Sequence, residues 1–185
     1  MLASAGLWNY GLKEYQKNRI VSFIYPERDP LGGAYQSAQS IIAIGSGGFF
    51  GKGLGHGTQT RLGFLPEYQT DFIFAAIAEE WGLAGILIFL AGWFIIFDRL
   101  HRIILLAPDN FSKLVTSGVV IVLGMHFLIN TGSNLGLLPI TGLPLSFVSY
   151  GGSNLVSMCI GIGLAQSIRV RSLAREREFD IWEWE

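Results

Sequence analysis

The chain has 185 residues, of which 50% are hydrophobic and only 15% are charged, and its formal net charge is −1. A soluble domain usually carries about 25% charged residues, so this composition is typical of a membrane protein. The near-zero net charge argues against a nucleic-acid partner. The single cysteine, Cys159, excludes a disulfide within the chain.

The N-terminal third of the chain contains no complete membrane span. Residues 1–12 are apolar but fall short of the about 20 residues that a span needs, and we interpret them as the stub of a preceding transmembrane helix. They lack a basic segment and a cleavage site, so no signal peptide is predicted. Residues 13–71 are polar and glycine-rich, which predicts an extramembrane loop with a short interfacial helix at residues 35–44.

Three transmembrane helices are predicted in the region 72–171, and the fold class is therefore an all-α membrane protein. They cover about residues 72–97, 114–131 and 147–168. Residues 114–168 contain no Asp, Glu, Lys or Arg. This length is enough for two crossings and a short connection.

The short loops predict the orientation of these spans. Lys and Arg are concentrated after the first span and after the third, whereas residues 132–154 carry none. By the positive-inside rule, the first connection and the tail, residues 172–185, are cytoplasmic. Residues 132–154 then form an external re-entrant turn, and the long loop 13–71 is external as well. We expect the tail to be frayed.

A glycine-rich segment, residues 43–57 (AIGSGGFFGKGLGHG), is the first candidate binding site. Seven of its residues are glycine, which allows a backbone to approach a ligand closely. Its backbone N–H groups and Lys52 could cradle a phosphate, although the spacing is not that of a P-loop. The alternative, which composition alone favours, is a flexible loop packed on a membrane surface.

Asp71 lies just before the first predicted span. Thr70 is a plausible N-cap, which predicts Asp71 in the first helical turn, where the helix dipole stabilises a carboxylate. In that interpretation Asp71 is only structural. The alternative is a general base at the external mouth of a membrane helix. Partial burial would then have to raise its pKa, because the dipole lowers it.

Two further acids, Glu79 and Glu80, fall within the first third of the first span. Acids inside membrane helices are functional candidates by default. At about 100° per residue, Glu79 is expected on the side of Asp71 and Glu80 on the opposite side. Equally, both can lie at shallow depth and bond to loop residues or water.

Polar residues also recur on the second span, where His126, Asn130 and Asn134 are spaced four residues apart. Hydrogen bonding between helices is favoured over a metal site, because this stripe supplies too few ligands. The run SYGGSN, residues 149–154, lies in the predicted re-entrant turn. It can line a cavity for a lipid-linked substrate or simply be covered by protein.

Three segments of the chain resemble the signature of the SEDS family, which includes RodA, FtsW and SpoVE. They are DPLGGAYQSAQSIIAIGSGG (29–48), GSGGFFGKGLGHGTQTRLGFLPEYQTDFIFAAIAEEWGLAG (45–85) and LPITGLPLSFVSYGGSNL (138–155). The resemblance covers roughly residues 8–171. The forms GTQ and FLPE within the second segment are most similar to RodA.

The resemblance implies a peptidoglycan glycosyltransferase that polymerises lipid II on the outer face of the bacterial cytoplasmic membrane, for cell elongation and shape. It implies that Asp71 deprotonates the 4-hydroxyl of the acceptor GlcNAc. That oxygen would attack the anomeric carbon of the donor MurNAc and release undecaprenyl pyrophosphate with inversion. A divalent cation (Mg²⁺ or Mn²⁺), or Lys52 and Arg61, would neutralise the leaving group. The other candidate substrate-binding residues are Glu79, Ser149, Gly151 and Gly152.

The implied partners are lipid II, the growing glycan strand, membrane lipid, a class B penicillin-binding transpeptidase and other membrane proteins of the elongation complex. Family members have more transmembrane helices than this chain, so we expect either a truncated sequence or one half of a split protein. Two other functions stay open. One is a lipid II transporter, in which Asp71 would gate or pair. The other is a non-catalytic fragment that binds a partner through its spans.

Overall fold

The computed structural model describes residues 13–28, 32–65 and 67–182, and the predicted stub, residues 1–12, lies outside them. The regular secondary structure of the described residues is entirely helical, as predicted. In chain order the elements are α1 (Glu14–Ile24), a short 3₁₀ helix (Pro26–Arg28), α2 (Gly33–Ser46), α3 (Thr58–Arg61), α4 (Ile73–Leu106), α5 (Asn110–Asn134) and α6 (Gly152–Trp182). Helices α4, α5 and α6 pack against one another, and α2 packs against α4.

Two of these helices, α4 and α5, are long and apolar enough to cross a membrane, with mean hydropathies of 2.0 and 1.8. The described part of α6 is not apolar enough to count as a third, although three spans were predicted. Much of the apolar surface of α4 and α5 is exposed, for example Ile88 at 68% and Phe94 at 73%. Soluble monomers rarely expose large contiguous apolar patches, so these faces suit lipid or further membrane helices.

Helix α4 is broken at Gly82, which the sequence analysis did not predict. Gly82 has φ 65° and ψ −160°, so two helical pieces, residues 73–81 and 83–106, meet at a kink. The break leaves carbonyl and amide groups without their usual partners four residues away. Glu79 and Glu80 therefore lie in a short helix before the kink and not inside a continuous span.

The glycine-rich segment fills this break. Four backbone hydrogen bonds connect residues 48–53 with the two sides of the kink: Lys52 N to Glu79 O, 3.0 Å; Gly53 N to Glu80 O, 3.0 Å; Leu83 N to Gly48 O, 2.9 Å; and Ala84 N to Phe49 O, 3.1 Å. Buried backbone groups must find partners, and here the loop and the broken helix satisfy each other. Residues 48–53 are thus attached to α4 through their backbone, although many of the segment's side chains are exposed.

Close backbone packing explains several of the glycines. A Cβ atom on Gly47 would lie 2.0 Å from Ala78 O, and one on Gly51 would lie 2.1 Å from Glu80 O. At Gly82 it would lie 2.3 Å from Gly51 N. The amides of Lys52 and Gly53 are used by α4, and they are not available to cradle a phosphate.

The start of α4 also differs from the prediction. Phe72 is the N-cap residue and makes no capping hydrogen bond with its side chain. Thr70 instead donates through its hydroxyl to Glu67 O at 3.1 Å. Asp71 therefore lies in the turn that precedes the helix and not in its first turn.

The segment between α5 and α6 lies within the predicted re-entrant turn and has no regular helix. Helix α5 ends in a turn at Gly136, whose φ is 71°, and Leu137 N donates to Gly132 O at 2.8 Å. The chain then continues without helix until α6 begins at Gly152. At the other end, α6 continues to Trp182. Residues 172–182 of the predicted tail are therefore described as helix.

Candidate active site

A cavity of about 590 Å³ lies between α1, α2, the turn before α4 and the segment that follows α5. This volume is in the usual range for small-molecule sites, roughly 300–1,000 Å³. Its lining includes one guanidinium, that of Arg19, and two carboxylates, those of Glu67 and Asp71. The remaining walls are mainly apolar or backbone, from α2 and from residues 136–140.

The backbone of Asp71 is held by two asparagines of α5. Asp71 O accepts from Asn130 Nδ2 at 3.0 Å and from Asn134 Nδ2 at 2.8 Å. Both asparagines are buried. Asn134 Oδ1 also accepts from Ala75 N at 3.1 Å and so satisfies an amide in the first turn of α4. The α5 face therefore fixes the position of Asp71 relative to the membrane helices.

The polar stripe on α5 makes the predicted bond between helices at Asn134, which accepts from Ala75 of α4, but its other contacts differ from the prediction. Asn130 also donates to Leu143 O at 3.0 Å, and His126 Nδ1 lies 3.2 Å from Ser146 Oγ. Most of its partners belong to non-helical segments, namely the turn before α4 and the segment before α6. The stripe joins these two segments to α5.

Ser149 supports the same turn from the other side. Its hydroxyl donates to Thr70 O and accepts from Leu145 N. Next to it, Tyr150 N donates to Gln69 O at 2.8 Å. The hydrogen bonds of Ser149 are therefore made within the protein, and they position the residue adjacent to Asp71. Gly151 and Gly152 are at the beginning of α6, and neither lines the cavity.

The environment of Asp71 favours a carboxylate that can accept a proton. Partial burial of Asp71 raises its pKa, and this is the largest influence on the group. The positive charge of Arg19 lowers the pKa, the negative charge of Glu67 raises it, and a hydrogen bond from Thr70 lowers it. The net direction is upward, as the general-base interpretation requires.

Glu79 belongs to a separate buried cluster. Its side chain is 0% exposed and accepts hydrogen bonds from the residues of α3 and from the loop before it. The donors are Lys52 Nζ at 2.9 Å, Thr58 Oγ1 at 3.1 Å, Gln59 N at 3.0 Å, Thr60 N at 3.3 Å and Thr60 Oγ1 at 3.4 Å. Helical spacing suggested that Glu79 faces Asp71, but it does not line the cavity. The interpretation that it bonds to loop residues is therefore correct.

The other two predicted cations are also away from Asp71. Lys52 forms an ion pair with Glu79, at 2.9 Å between Nζ and Oε1. Arg61 is exposed at the end of α3 and is not part of the cavity lining. The structure brings Arg19 to the cavity instead. The sequence analysis did not select Arg19, because nothing in the sequence indicates that α1 packs near the turn before α4.

Comparison with known proteins places the chain in a family. The sequence profile of the cell cycle protein family that comprises FtsW, RodA and SpoVE matches residues 1–173. The chain belongs to this family. It is 46% identical over 162 residues to peptidoglycan glycosyltransferase MrdB of Escherichia coli K12, covering 88% of this chain and 44% of MrdB. It is 44% identical over 162 residues to peptidoglycan glycosyltransferase RodA of Treponema pallidum, covering 88% of this chain and 37% of RodA.

The fold is similar to that of a solved relative. The chain superposes with a TM-score of 0.72 and 31% identity on one chain of a solved peptidoglycan synthase complex. That complex coordinates polymerization and crosslinking. The match covers 92% of the present chain and 46% of that chain. The chain thus has a partial SEDS fold, and it spans under half the length of the curated relatives that it matches.

The described part of this SEDS chain does not contain a cluster of three or more His, Cys, Asp or Glu side chains that could hold a metal. Among the described residues that line the cavity, the carboxylates are those of Glu67 and Asp71. These residues do not form a site for a divalent cation by themselves. The involvement of Mg²⁺ or Mn²⁺ stays a prediction.

Proposed function

We propose that this chain forms the catalytic part of an inverting, RodA-type peptidoglycan glycosyltransferase that polymerises lipid II at the outer face of the bacterial cytoplasmic membrane. The observation that carries the proposal is the position of Asp71. Its carboxylate lines a cavity, its backbone is fixed by Asn130 and Asn134, and burial raises its pKa. A positioned base with a raised pKa is what proton abstraction near neutral pH needs.

In the proposed reaction Asp71 accepts the proton of the 4-hydroxyl of the acceptor GlcNAc. The oxygen forms a bond to the anomeric carbon of the donor MurNAc from the face opposite the diphosphate. The bond between that carbon and the diphosphate oxygen breaks, and its electron pair leaves with undecaprenyl diphosphate. Diphosphate leaves without being protonated, so a single carboxylate suffices, in contrast to the acid–base pair of glycosidases.

As the pH is lowered, we expect the rate of polymerisation to start falling at a higher pH than it would with an aspartate of ordinary pKa as the base. Asp71 works only when deprotonated, so the rate falls as the pH drops through its pKa, which burial raises. Glu67→Gln removes a negative charge that raises the pKa of Asp71. The acidic limb of the rate profile of this variant should therefore move to lower pH. Initial rates of lipid II polymerisation between mildly acidic and neutral pH measure the shift, and a limb that stayed in place or moved upward would contradict it.

The topology is also part of the proposal. Helices α4, α5 and α6 are the three spans, with the glycine-rich loop external and the end of α6 cytoplasmic. The support is the charge asymmetry of the short connections and the apolar exposed surfaces of α4 and α5. Helix α6 lies against both α4 and α5, although its own composition is less apolar.

Cysteine labelling of intact cells tests this topology. Cys159→Ser removes the native thiol, and single cysteines then replace Leu54 and Leu173, which are 68% and 43% exposed. A membrane-impermeant maleimide should label position 54 from outside, and it should label position 173 only after the membrane is permeabilised. Labelling of position 173 in intact cells would reverse the proposed orientation.

The proposed partners follow from the relatives. The similar chain in the peptidoglycan synthase complex belongs to an assembly that polymerises and crosslinks. We therefore propose a class B penicillin-binding transpeptidase as the crosslinking partner, together with other membrane proteins of the elongation complex. Lipid II, the glycan strand and membrane lipid are the proposed small partners.

A further inference from the structure

Arg19 of α1 and Asp71 both lie close to the backbone at Gly142. A Cβ atom placed on Gly142 would lie 3.5 Å and 3.7 Å from the two terminal nitrogens of Arg19. The same atom would lie 3.6 Å from Asp71 Oδ2. Both side chains also line the cavity. A guanidinium and a carboxylate therefore line one cavity and both lie near Gly142, so a side chain at position 142 would contact both.

The two groups are close but do not form an ion pair. Within the described ranges, Arg19 has no carboxylate oxygen within 4.0 Å. A direct pair with Asp71 would use up the carboxylate that serves as the base. The arrangement instead leaves the guanidinium available to a second, negatively charged group inside the cavity.

The other cations considered for such a role are placed elsewhere. Lys52 is bound to Glu79, and Arg61 lies outside the cavity lining. Lys17, two residues before Arg19 on α1, pairs with Glu14 at 3.0 Å. Among the cavity-lining residues of the described structure, Arg19 is the one that can neutralise an anion beside Asp71.

We propose that Arg19 binds the diphosphate of the lipid-linked donor and stabilises it as the leaving group, while Asp71 faces the acceptor hydroxyl. This inference rests on the proposed function. As the bond from the anomeric carbon to the diphosphate oxygen breaks, its electron pair adds negative charge to that oxygen. The planar guanidinium presents several donors to two phosphate oxygens at once, and its attraction grows as the charge develops. The proton of the acceptor goes to Asp71.

The test uses the purified native protein, together with any chain that copurifies with it, and farnesyl diphosphate as a soluble mimic of the leaving group. The variants are Arg19→Ala, Arg19→Lys and the control Lys17→Ala, which removes the same charge from the same helix. We expect Arg19→Ala to weaken inhibition of lipid II polymerisation by farnesyl diphosphate at least about tenfold, because a charged hydrogen-bonding partner is lost. Arg19→Lys should retain part of this inhibition, and Lys17→Ala should behave as wild type. Farnesol should inhibit all variants equally.

Two results would overturn the inference. One is an inhibition constant for farnesyl diphosphate that is unchanged in both Arg19 variants. The other is a shift of the acidic limb of the rate profile in Arg19→Ala without any change in that constant, which would mean that Arg19 only adjusts the pKa of Asp71. Failure of the proposed function itself would look different. In that case Asp71→Asn would polymerise lipid II normally, whatever the Arg19 variants do.

Discussion

Replacement of Asp71 by asparagine is expected to reduce polymerisation of purified lipid II at least roughly a hundredfold. General-base catalysis contributes about 10²–10⁴-fold, and the amide has the size of the carboxylate but cannot accept the proton. The fold should persist, because Asn130 and Asn134 bind the backbone carbonyl of residue 71 and not its side chain. The measurements are the initial rate and the length distribution of the glycan product.

Glu80→Gln is the matched control for this experiment, since it removes one carboxylate from the short helix before the kink without touching the cavity lining. Glu80→Gln should reduce the rate of lipid II polymerisation far less than Asp71→Asn does. If folded Asp71→Asn polymerised lipid II near the wild-type rate, the proposed mechanism would be wrong. A transporter or a non-catalytic fragment would then be the better hypothesis.

The sequence alone led to Asp71 because two independent features agreed on it. The resemblance of its surrounding segment suggested catalysis, and the charge pattern of the short loops suggested an external position. The polar stripe on α5 was also visible, since a spacing of four residues places Asn130 and Asn134 on one helical face. Their shared target, the carbonyl of Asp71, could not be foreseen, because periodicity shows which residues share a face but not what lies opposite.

Other features could not be predicted because they depend on contacts between distant segments. Residues 81–97 carry no charge and glycine is frequent in membrane helices, so nothing at Gly82 indicates a kink. The break is stable only because residues 48–53 supply the missing hydrogen-bond partners. Arg19 is a similar case. It appeared as one of several positive charges in a long loop, and only the packing of α1 beside α2 brings it to the cavity.

The cluster around Glu79 determines how the glycine-rich loop is attached to α4. Glu79 is fully buried, and both its oxygens accept hydrogen bonds from residues 52–60. A Cβ atom on Gly57 would lie 2.8 Å from Glu79 Oε2, so the loop also needs glycine there to approach this carboxylate. The ion pair to Lys52 adds charge to the cluster, and the side chain of Lys52 is 27% exposed. The carboxylate should therefore matter more to the loop than the ammonium does.

We accordingly expect Glu79→Gln to loosen the loop at a local cost of about 2–3 kcal/mol. This is below the roughly 3–5 kcal/mol for removing one partner of a fully buried ion pair, because Lys52 is partly solvated. The local cost corresponds to amide exchange at Gln59 and Thr60 that is at least about thirtyfold faster. Lys52→Met should have a smaller effect, because Glu79 keeps its donors in α3. Glu80→Gln, with the same change of charge one residue away, should have almost none. Hydrogen exchange of the detergent-solubilised protein measures this order, and equal effects of the Glu79 and Glu80 variants would show that the buried carboxylate does not hold the loop.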